Sequence, residues 1–334
     1  MVNIRRILYK NKIIFDFMLV VRQYLYCLSN LYKKQEYIRL ICCALNPFCR
    51  MLTIRQNKKD LKESFQHDLA LIAICKNEAE YLPEWIEYHA YLGVSKFLIY
   101  DNGSNDNTLE VLQPYIEAGL VEYRWYPGER MQVSAYSDAI VRVKPLARYV
   151  AFMDIDEFLC VNDESKNIKE FMDDFFRTNL WAGGIAIGWW MFGSNYHKVK
   201  PEGLVMENYL RRADESFMLN VKTIGNPRLM VGCYSPHYPV YLYLASNANE
   251  KGKKVRGPFD YSKSTDVIHI NHYFTKSEAE CMQKIAKGIA TKGTPRTKEI
   301  FYQRDKNDIY DDSMLRYVSI VKDAILARTG NGRA

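Results

Sequence analysis

A short apolar run, Leu69-Ala-Leu-Ile-Ala-Ile-Cys75, constrains the fold of this chain more than any other segment. A run of this length without polar alternation is typical of a strand that is buried on both faces, and such strands occur mostly in parallel sheets. Strand and helix patterns alternate after it, with predicted helices at 81–92, 108–118 and 131–147 and predicted strands at 96–100, 120–124 and 149–153. This order predicts an α/β domain with a mostly parallel sheet and helices on both faces.

Polar side chains follow three of the predicted strands at the point where each strand ends. They are Asn77 and Glu78, Asp101 and Asn102, and Asp154 and Asp156. Right-handed crossovers bring the carboxyl ends of parallel strands to one edge of the sheet, where ligands of such sheets bind. The sequence therefore predicts that residues far apart in the chain meet in one ligand site.

The pair Asp154 and Asp156 is the candidate for metal binding within this site. No Gly-rich phosphate loop follows any predicted strand, so a bound nucleotide would need another source of positive charge. Two carboxylates at this spacing after a strand point the same way, and they repel each other unless a cation lies between them. Oxygen ligands with an open face suit Mg²⁺ or Mn²⁺ shared with a diphosphate. The alternative is a solvated acidic turn.

The positive charge of the chain is concentrated near its N-terminal end. The formal net charge is +7, and residues 1–66 hold 13 Lys and Arg against 4 Asp and Glu. The remainder holds 33 basic and 35 acidic residues, so the predicted globular part carries no basic excess. Nucleic-acid binding predicts a basic face on the folded domain, and the sequence therefore argues against a nucleic-acid partner.

Residues 1–66 mix basic side chains with apolar and aromatic ones, which predicts a basic amphipathic helical extension. The apolar run 13–21 is too short to span a bilayer, which takes about 20 apolar residues. Segment 37–52 combines Arg39 and Arg50 with apolar residues, a composition that favours a helix on an anionic membrane surface. A helical hairpin packed on the main domain explains the same pattern.

Eight dispersed cysteines without a C-x-x-C pair predict reduced thiols, so we expect a cytoplasmic protein, peripheral on the cytosolic face of the membrane if the extension binds lipid.

Five segments carry distinctive residue patterns. They are I-x-K-N-E at 74–78, E-W-I-E-Y-H at 84–89, G-V-x-x-F-x-I-Y-D-N-x-S-x-D at 93–106, D-I-D-E-F at 154–158 and I-N-H-Y-F-T-K-S at 270–277. In this order and spacing they resemble glycosyltransferases of the GT-A fold, above all glycosyltransferase family 92 and its bacterial family-2-like relatives. The resemblance implies a GT-A (Rossmann-like) domain at 67–300, between the extension 1–66 and a helical tail at 301–334.

The resemblance also implies a nucleotide-sugar donor at the carboxyl edge of the sheet. The matching positions for the base, ribose and diphosphate are Asn77, Glu78, Asp101, Asn102, Asp154 and Lys222. A carboxylate accepts hydrogen bonds from ribose hydroxyls, so the residue types fit. Each has an alternative: Glu78 as a charge at a helix N-terminus, Asp101 as part of an Asx-turn, and Lys222 as a solvent-facing lysine.

A metal held by Asp154, Asp156 and a histidine from the C-terminal part is a further implication of the resemblance, with Mn²⁺ or Mg²⁺ as the ion. His269 and His272 lie on opposite faces if their strand continues, so one of them reaches the site. We favour His272, because it belongs to the fifth matched segment, and His237 is a weaker candidate. The alternative is a core histidine that hydrogen-bonds within the fold.

An inverting transfer needs a carboxylate that deprotonates the acceptor hydroxyl. The candidates are Glu157, Asp214 and Glu215, and their spacing does not distinguish them. Trp189, Trp190 and Phe192, at the end of a predicted strand 185–190, indicate an aromatic rim for the acceptor, although such rings also fill cores.

These features predict a metal-dependent, inverting glycosyltransferase that moves a hexose from a UDP-sugar to a glycan or glycolipid acceptor in surface polysaccharide or lipopolysaccharide synthesis. Galactose as the hexose follows from the resemblance alone. A nucleotidyltransferase or a metal-dependent phosphohydrolase with the same carboxylates is the second hypothesis, and it needs a basic triphosphate clamp near the first strand, where Lys76 is the cation. A non-catalytic membrane-associated scaffold is the third, and the intact pair Asp154 and Asp156 argues against it.

Overall fold

The computed structural model describes residues 36–162, 167–215, 217, 219–262, 264–287 and 298–330, with side-chain surroundings from Asn46 onward. The apolar run 13–21 of the predicted extension lies outside the described residues. The chain divides into two units between Met51 and Leu52, and the three-part division into 1–66, 67–300 and 301–334 stays a prediction. Within the ranges described, no helix is both long enough and apolar enough to cross a membrane.

The secondary structure follows the alternation that the sequence predicts. The α-helices are α1 (Glu36–Asp60), α2 (Leu82–Tyr91), α3 (Thr108–Glu117), α4 (Gln132–Val143), α5 (Ile168–Thr178), α6 (Val205–Asn208), α7 (Glu278–Lys287), α8 (Glu299–Arg304) and α9 (Val318–Thr329). The strands are β1 (His67–Cys75), β2 (Lys96–Asp101), β3 (Val121–Trp125), β4 (Ala147–Phe152), β5 (Glu157–Val161), β6 (Gly184–Met191), β7 (Arg211–Arg212), β8 (Val221–Gly225), β9 (Met230–Ser235), β10 (Tyr238–Tyr241), β11 (Asn247–Ala248), β12 (Lys254–Val255), β13 (Ile268–His272) and β14 (Ile309–Tyr310). Helix α4 ends at Val143 instead of 147, shortly before Pro145, which has no N–H to continue a helix.

The central sheet has the strand order β12-β11-β6-β8-β4-β1-β2-β3. Strand β1 pairs in parallel with β2 and with β4, and β2 pairs in parallel with β3. Strand β8 lies antiparallel between β4 and β6, and β13 joins β6 in parallel and β5 in antiparallel orientation. The predicted α/β class with a mostly parallel sheet is confirmed.

Alternate side chains of β1 enter two separate hydrophobic clusters, one on each face of the sheet. Leu71 packs in the cluster that contains Trp85 of α2, whereas Ile72 packs in the cluster that contains Tyr136 of α4. Fully burying a side chain such as leucine or isoleucine contributes about 1.5–3 kcal/mol. Burial on both faces is the physical reason for the unbroken apolar run in the sequence.

The C-terminal part of α1 joins the larger unit through a buried polar network. Asn57 Nδ2 donates to the carbonyl oxygen of Ala182 at 2.8 Å. The carboxylate of Asp60 pairs with Arg228 (Nε to Oδ2, 2.8 Å) and accepts a hydrogen bond from Asn226 Nδ2 at 2.7 Å. Buried charges are costly unless they are paired and hydrogen-bonded, so this part of α1 is integral to the sheet domain.

The C-terminal region also contributes to the core. Helix α9 packs beside α2, where Arg328 Nε lies 3.1 Å from Glu87 Oε1. Strand β14 pairs antiparallel with β7, an element that the helical pattern of the tail did not predict. Met314 is buried in the same cluster as Leu71, so this region stabilises the sheet domain.

Glu84, in the second matched segment, binds the N-terminal end of α6. Its Oε2 accepts the N–H of Val205 at 2.7 Å, and its Oε1 accepts the N–H of Met206 at 2.9 Å. The side chain is 4% exposed. Burial raises the pKa of Glu84 to about 7, although the two N–H groups and Lys276 favour the charged form.

The raised pKa of Glu84 predicts a pH-dependent part of the stability. The unfolded chain releases this proton near the ordinary pKa of 4.5 and the folded chain only near 7. The contribution of Glu84 to the unfolding free energy is therefore fully present below pH 4.5 and is lost as the pH rises to 7, by on the order of 3 kcal/mol. We expect Glu84→Gln to show a smaller difference in unfolding free energy between acidic and alkaline buffer than the wild type, as measured by urea denaturation. Glu110→Gln, at an exposed position of α3, should keep the wild-type difference, and an unchanged difference in Glu84→Gln would contradict the assignment.

Candidate active site

The carboxyl edge of the sheet gathers residues from several strands. The parallel strands β1, β2 and β4 end at this edge, and the loop 153–156 follows β4. Strand β8 runs in the opposite direction, so Lys222 near its start reaches the same edge. Strand β13 also ends there because it lies parallel to β6, and its register pairs His272 with Glu157 of β5. The topology therefore brings the acids, a lysine and a histidine to one place.

Lys222 lies at the centre of a buried ionic cluster. Its Nζ is 3.0 Å from Asp154 Oδ2 and 3.1 Å from Glu157 Oε2, and its side chain is 1% exposed. The Asp154 N–H donates to Glu157 Oε2 at 2.9 Å, and Gln132 Nε2 donates to Asp154 Oδ1 at 2.7 Å. The alternative that Lys222 faces solvent is wrong, because the two carboxylates compensate its burial.

The members of this cluster fix one another's protonation. Burial disfavours the ammonium of Lys222, but Asp154 and Glu157 outweigh burial and raise its pKa. Burial also opposes the charge on Asp154, yet Lys222 holds the pKa of Asp154 below its ordinary value. At Glu157 burial prevails over Lys222 and raises the pKa well above its ordinary range. Lys222 and Asp154 therefore form the charged pair, and Glu157 is the acid that keeps its proton most readily.

Asp156 contacts a different cation. Its Oδ2 contacts the Nζ of Lys284 on α7 and lies 3.5 Å from His272 Nε2. The N–H of Tyr273 donates to the carbonyl oxygen of Asp156 at 2.8 Å, which fixes the loop against the end of β13. Burial opposes ionisation of Asp156, but Lys284 and His272 hold its pKa well below the ordinary value. Burial lowers the pKa of His272, and the neighbouring Asp156 opposes this shift.

The residues that could hold a divalent cation are partly assembled. Asp156 and His272 meet, and a carboxylate oxygen with an imidazole nitrogen suits Mn²⁺. Asp154, the third predicted ligand, is engaged by Lys222 and by a glutamine. Among the residues described, no group of three or more His, Cys, Asp or Glu side chains is arranged to hold a metal. The ammonium of Lys284 lies against Asp156, so this carboxylate already compensates one positive charge, and the set of three metal ligands stays a prediction.

The other two candidate histidines have different surroundings. His269 stacks on Trp190 with 3.5 Å between ring centroids, and burial lowers its pKa to about 3. His272 contacts Trp189, the preceding residue of β6, at 4.2 Å between centroids. The alternation along β13 and β6 therefore places the two histidines on opposite faces. His237 also contacts Trp189, at 5.2 Å, and belongs to the aromatic layer beside the site.

At the end of β2 the two predicted nucleotide contacts differ. Asp101 is buried, its Oδ1 accepts the N–H of Ser104 at 2.8 Å, and its Oδ2 accepts the hydroxyl of Tyr123 at 2.9 Å. These are contacts of a turn-forming aspartate. Asn102 is also buried, and its Oδ1 has no hydrogen-bond partner within the described chain. Asp101 therefore shapes the turn, and Asn102 leaves one buried acceptor without a partner in the described chain beside it.

A cavity of about 260 Å³ lies between the end of β1 and α7. Asn77 and Glu78 line it on one side, and Lys276 and Lys284 line it on the other. Asn77 has a left-handed backbone (φ 54°), and its Oδ1 accepts the N–H of Asn105 at 2.8 Å. Lys284 borders this cavity and also contacts the loop after β4, so the cavity and the ionic cluster form one candidate site.

The three candidate bases differ in exposure. Glu157 is fully buried and engaged with Lys222, a position that suits holding the lysine and not contact with an acceptor. Asp214 is exposed, and Glu215 pairs with Arg212 (Nη1 to Oε1, 2.9 Å). Both follow β7, which is bridged to the residue after β6 at the carboxyl edge.

The aromatic residues at the end of β6 fill the core. Trp189 is 6% exposed and Phe192 is 1% exposed. Trp190 packs between His269 and the guanidinium of Arg212, whose centre is 4.0 Å from the ring centroid. The predicted acceptor rim is therefore not formed by Trp189 or Phe192, because both rings are buried, whereas Trp190 is only partly buried.

Three contributors to the site were not predicted. Lys284 contacts Asp156, Gln132 binds Asp154, and the Tyr136 hydroxyl lies 3.3 Å from Asp154 Oδ1. Gln132 and Tyr136 stand one turn apart in the N-terminal part of α4, the helix that follows the third predicted strand. Lys284 lies in α7, the helix that begins directly after the fifth matched segment. Their position relative to the motifs is the signal that could have found them.

Comparison with known proteins identifies the family. The model of glycosyltransferase family 92 matches residues 73–257. The chain belongs to glycosyltransferase family 92. The family match contains Asp154, Asp156 and Lys222, while His272 and Lys284 lie beyond its end.

Curated relatives of family 92 match shorter stretches. A family 92 protein of Arabidopsis thaliana is 35% identical over 102 residues, which are 30% of this chain and 18% of that protein. One of Oryza sativa subsp. japonica is 35% identical over 95 residues, 28% of this chain and 16% of that protein. The matched stretch thus spans less than a fifth of these plant proteins.

Two solved structures are among those to which this chain is similar over part of its length. S. aureus TarS (residues 1–349) has a TM-score of 0.36 and 13% identity, over 80% of this chain and 72% of that chain. The Mycobacterium tuberculosis glucosyl-3-phosphoglycerate synthase in complex with Mn²⁺, UDP and glucosyl-3-phosphoglycerate has a TM-score of 0.28 and 14% identity, over 53% of this chain and 62% of that chain.

Proposed function

We propose that this family 92 domain transfers a hexose from a UDP-sugar to a glycan or glycolipid acceptor, with inversion and with dependence on Mn²⁺ or Mg²⁺. The observation that carries the proposal is the convergence of Asp156, His272 and Lys284 with the Asp154–Lys222 pair at the carboxyl edge of the sheet. This edge is where α/β folds bind their ligands. Surface polysaccharide or lipopolysaccharide synthesis is the process that would use such an acceptor.

The residues of the chain account for donor binding. The Oδ1 of Asn102 and the cavity beside Asn77 and Glu78 are available to the nucleoside. The ammonium group of Lys284 offsets part of the negative charge of the diphosphate, because lysine binds phosphate as a point charge, while Lys222 stays paired with Asp154 and Glu157. A cation held by Asp156 and His272 would supply further positive charge to the leaving diphosphate.

The transfer itself needs one proton acceptor. In the proposed reaction the acceptor hydroxyl oxygen attacks the anomeric carbon, the bond from this carbon to the diphosphate breaks, and the hydroxyl proton passes to a carboxylate. Asp214 and Glu215 are the candidates that lie near the surface at the carboxyl edge. Glu157 positions Lys222 in this scheme, because its side chain is fully buried.

Release of UDP tests the proposed function. The purified chain is incubated with UDP-galactose, UDP-glucose or ATP, with Mn²⁺ or with EDTA, and free nucleotide and phosphate are measured. We expect UDP from at least one UDP-sugar in Mn²⁺ and its loss in EDTA. Cleavage of ATP without turnover of any UDP-sugar would instead support a nucleotidyltransferase or a phosphohydrolase.

We further propose that the protein is cytoplasmic and that its N-terminal region contacts an anionic membrane surface. Phe48 is 58% exposed and Met51 is 53% exposed, and Arg50 between them is exposed as well. Neighbouring apolar and basic side chains of this kind bind the boundary of anionic lipids.

Removal of residues 1–51 is expected to release the protein from vesicles and to leave UDP affinity unchanged. The deletion ends before Asn57 and Asp60, whose hydrogen bonds belong to the larger unit. Co-sedimentation with vesicles that contain phosphatidylglycerol measures the effect, and vesicles of phosphatidylcholine alone are the control. Equal co-sedimentation of the full chain and the truncated chain would contradict membrane contact through this region.

A further inference from the structure

Lys284 lies where a divalent cation at Asp156 would lie. Its Nζ contacts Asp156 Oδ2 and is 3.4 Å from the carbonyl oxygen of Phe274. The same Nζ is 4.1 Å from the centroid of the Phe274 ring. The Lys284 side chain is 24% exposed, whereas the Asp156 side chain is 9% exposed. The ammonium is therefore directed inward to Asp156, while the rest of the side chain borders the cavity.

A divalent cation and this ammonium exclude each other at Asp156. Both are positive, and a cation held jointly by Asp156 and His272 would approach Oδ2, the oxygen that lies 3.5 Å from His272 Nε2 and that Lys284 contacts. Arg304 adds a third positive charge nearby, because its guanidinium centre lies 4.1 Å from the centroid of the same Phe274 ring. Binding of a metal at Asp156 therefore requires that Lys284 moves away.

The cavity gives Lys284 a second position. Lys284 lines it together with Asn77 and Glu78, and the proposed function puts the donor at this edge of the sheet. A lysine side chain is a flexible four-carbon stem, and phosphate oxygens pair strongly with its ammonium. Lys222 contrasts with Lys284, because it is 1% exposed and paired with two carboxylates.

We propose that Lys284 couples the binding of the divalent cation to the binding of the donor diphosphate. Its ammonium pairs with Asp156 in the ligand-free protein and pairs with the diphosphate once the cation has taken Asp156. The inference rests on the proposed function and adds a positioning residue to it. Because linkage is reciprocal, the nucleotide strengthens metal binding by the same factor by which the metal strengthens nucleotide binding.

Metal titration without nucleotide distinguishes this role from a structural one. Mn²⁺ affinity is measured by calorimetry on the wild type and on Lys284→Met, first without UDP and then with UDP. Without UDP we expect Lys284→Met to bind Mn²⁺ about tenfold more tightly, because a like charge is removed. We expect the same variant to bind UDP about tenfold more weakly, because a phosphate partner is removed.

Two further variants serve as controls. Lys284→Arg keeps the positive charge and should retain the wild-type Mn²⁺ affinity. Lys198→Met removes an exposed lysine whose Nζ lies 2.7 Å from Oε2 of Glu278. Glu278 is on α7, the helix that carries Lys284, and this variant should leave both affinities unchanged. Lys284→Gln repeats the test in case the methionine variant does not fold.

The outcomes separate the inference from the proposed function. Equal or weaker Mn²⁺ binding by folded Lys284→Met or Lys284→Gln, with UDP binding intact in the wild type, would overturn the coupling role and leave the proposed function standing. A wild type that binds neither UDP nor Mn²⁺ would contradict both.

Discussion

Asp156→Asn is expected to lower the rate of UDP-sugar turnover by about a thousandfold, the size of effect seen when one preorganised electrostatic contact to a transition state is lost. The change keeps the volume of the side chain and removes its negative charge. Without this charge, the side chain at position 156 no longer balances the charge of the cation that would stabilise the leaving diphosphate. The initial rate of UDP release in Mn²⁺ measures the effect, and the shift in thermal unfolding on addition of Mn²⁺ and UDP shows whether binding is lost with it.

A matched control for this prediction is Asp174→Asn. Asp174 lies on α5 and its side chain is 48% exposed, with Arg177 Nη1 2.8 Å from its Oδ1. Surface ion pairs of this kind contribute about 0–1 kcal/mol, so the control should keep the wild-type rate. Turnover by Asp156→Asn within tenfold of the control would show that this carboxylate is not central to the chemistry.

Lys222→Met is expected to lower the free energy of unfolding by about 3–5 kcal/mol, the cost of removing one partner from a buried ion pair. Methionine approximates the length of the lysine stem but leaves Asp154 and Glu157 without their cation. Asp154 carries the negative charge of this pair, and its side chain is 34% exposed, so water replaces only part of the lost interaction. Urea denaturation at neutral pH measures the loss.

A second substitution tests whether the unpaired acids cause this loss. Adding Asp154→Asn to Lys222→Met should recover part of the stability, with a coupling free energy of about 0.5–3 kcal/mol. Lys322→Met is the matched control, because Lys322 pairs with Glu207 at 2.6 Å but is 47% exposed, and it should cost about 0–1 kcal/mol. Equal losses for Lys222→Met and Lys322→Met would refute the buried cluster.

The order of strands and helices could be predicted because it depends on local burial. Strand β1 is buried on both faces, and its sequence is therefore an unbroken apolar run that can be recognised without the structure. The polar residues at the strand ends could be placed at one edge for a topological reason, since parallel strands with helical crossovers leave no other arrangement. Asp156 and His272 come together in the structure on this basis.

The partners of these residues could not be predicted, because they depend on distant parts of the chain. Lys222 has no neighbour in sequence that indicates burial, and the carboxylates that allow it come from the loop and strand after β4. An aspartate such as Asp101 can either stabilise a turn or bind a ribose hydroxyl. The sequence does not distinguish these roles, and the contacts with Ser104 and Tyr123 show that Asp101 stabilises a turn.

Lys284 illustrates the same limit at the boundary of the family match. The match ends at residue 257, and Lys284 stands in an amphipathic helix where a lysine is expected on the solvent side. Its contact with Asp156 arises because β13 and the segment after it return the chain to the carboxyl edge. Tertiary structure, and not local pattern, gives this lysine its place.

A crystal structure with UDP and Mn²⁺, with anomalous diffraction recorded for the metal, tests the central claim most directly. The account predicts one manganese peak in contact with the Asp156 carboxylate, the His272 imidazole and the diphosphate, with the nucleoside toward Asn102. A diphosphate bound away from the carboxyl edge of the sheet, or a metal that touches neither of these two side chains, would contradict it.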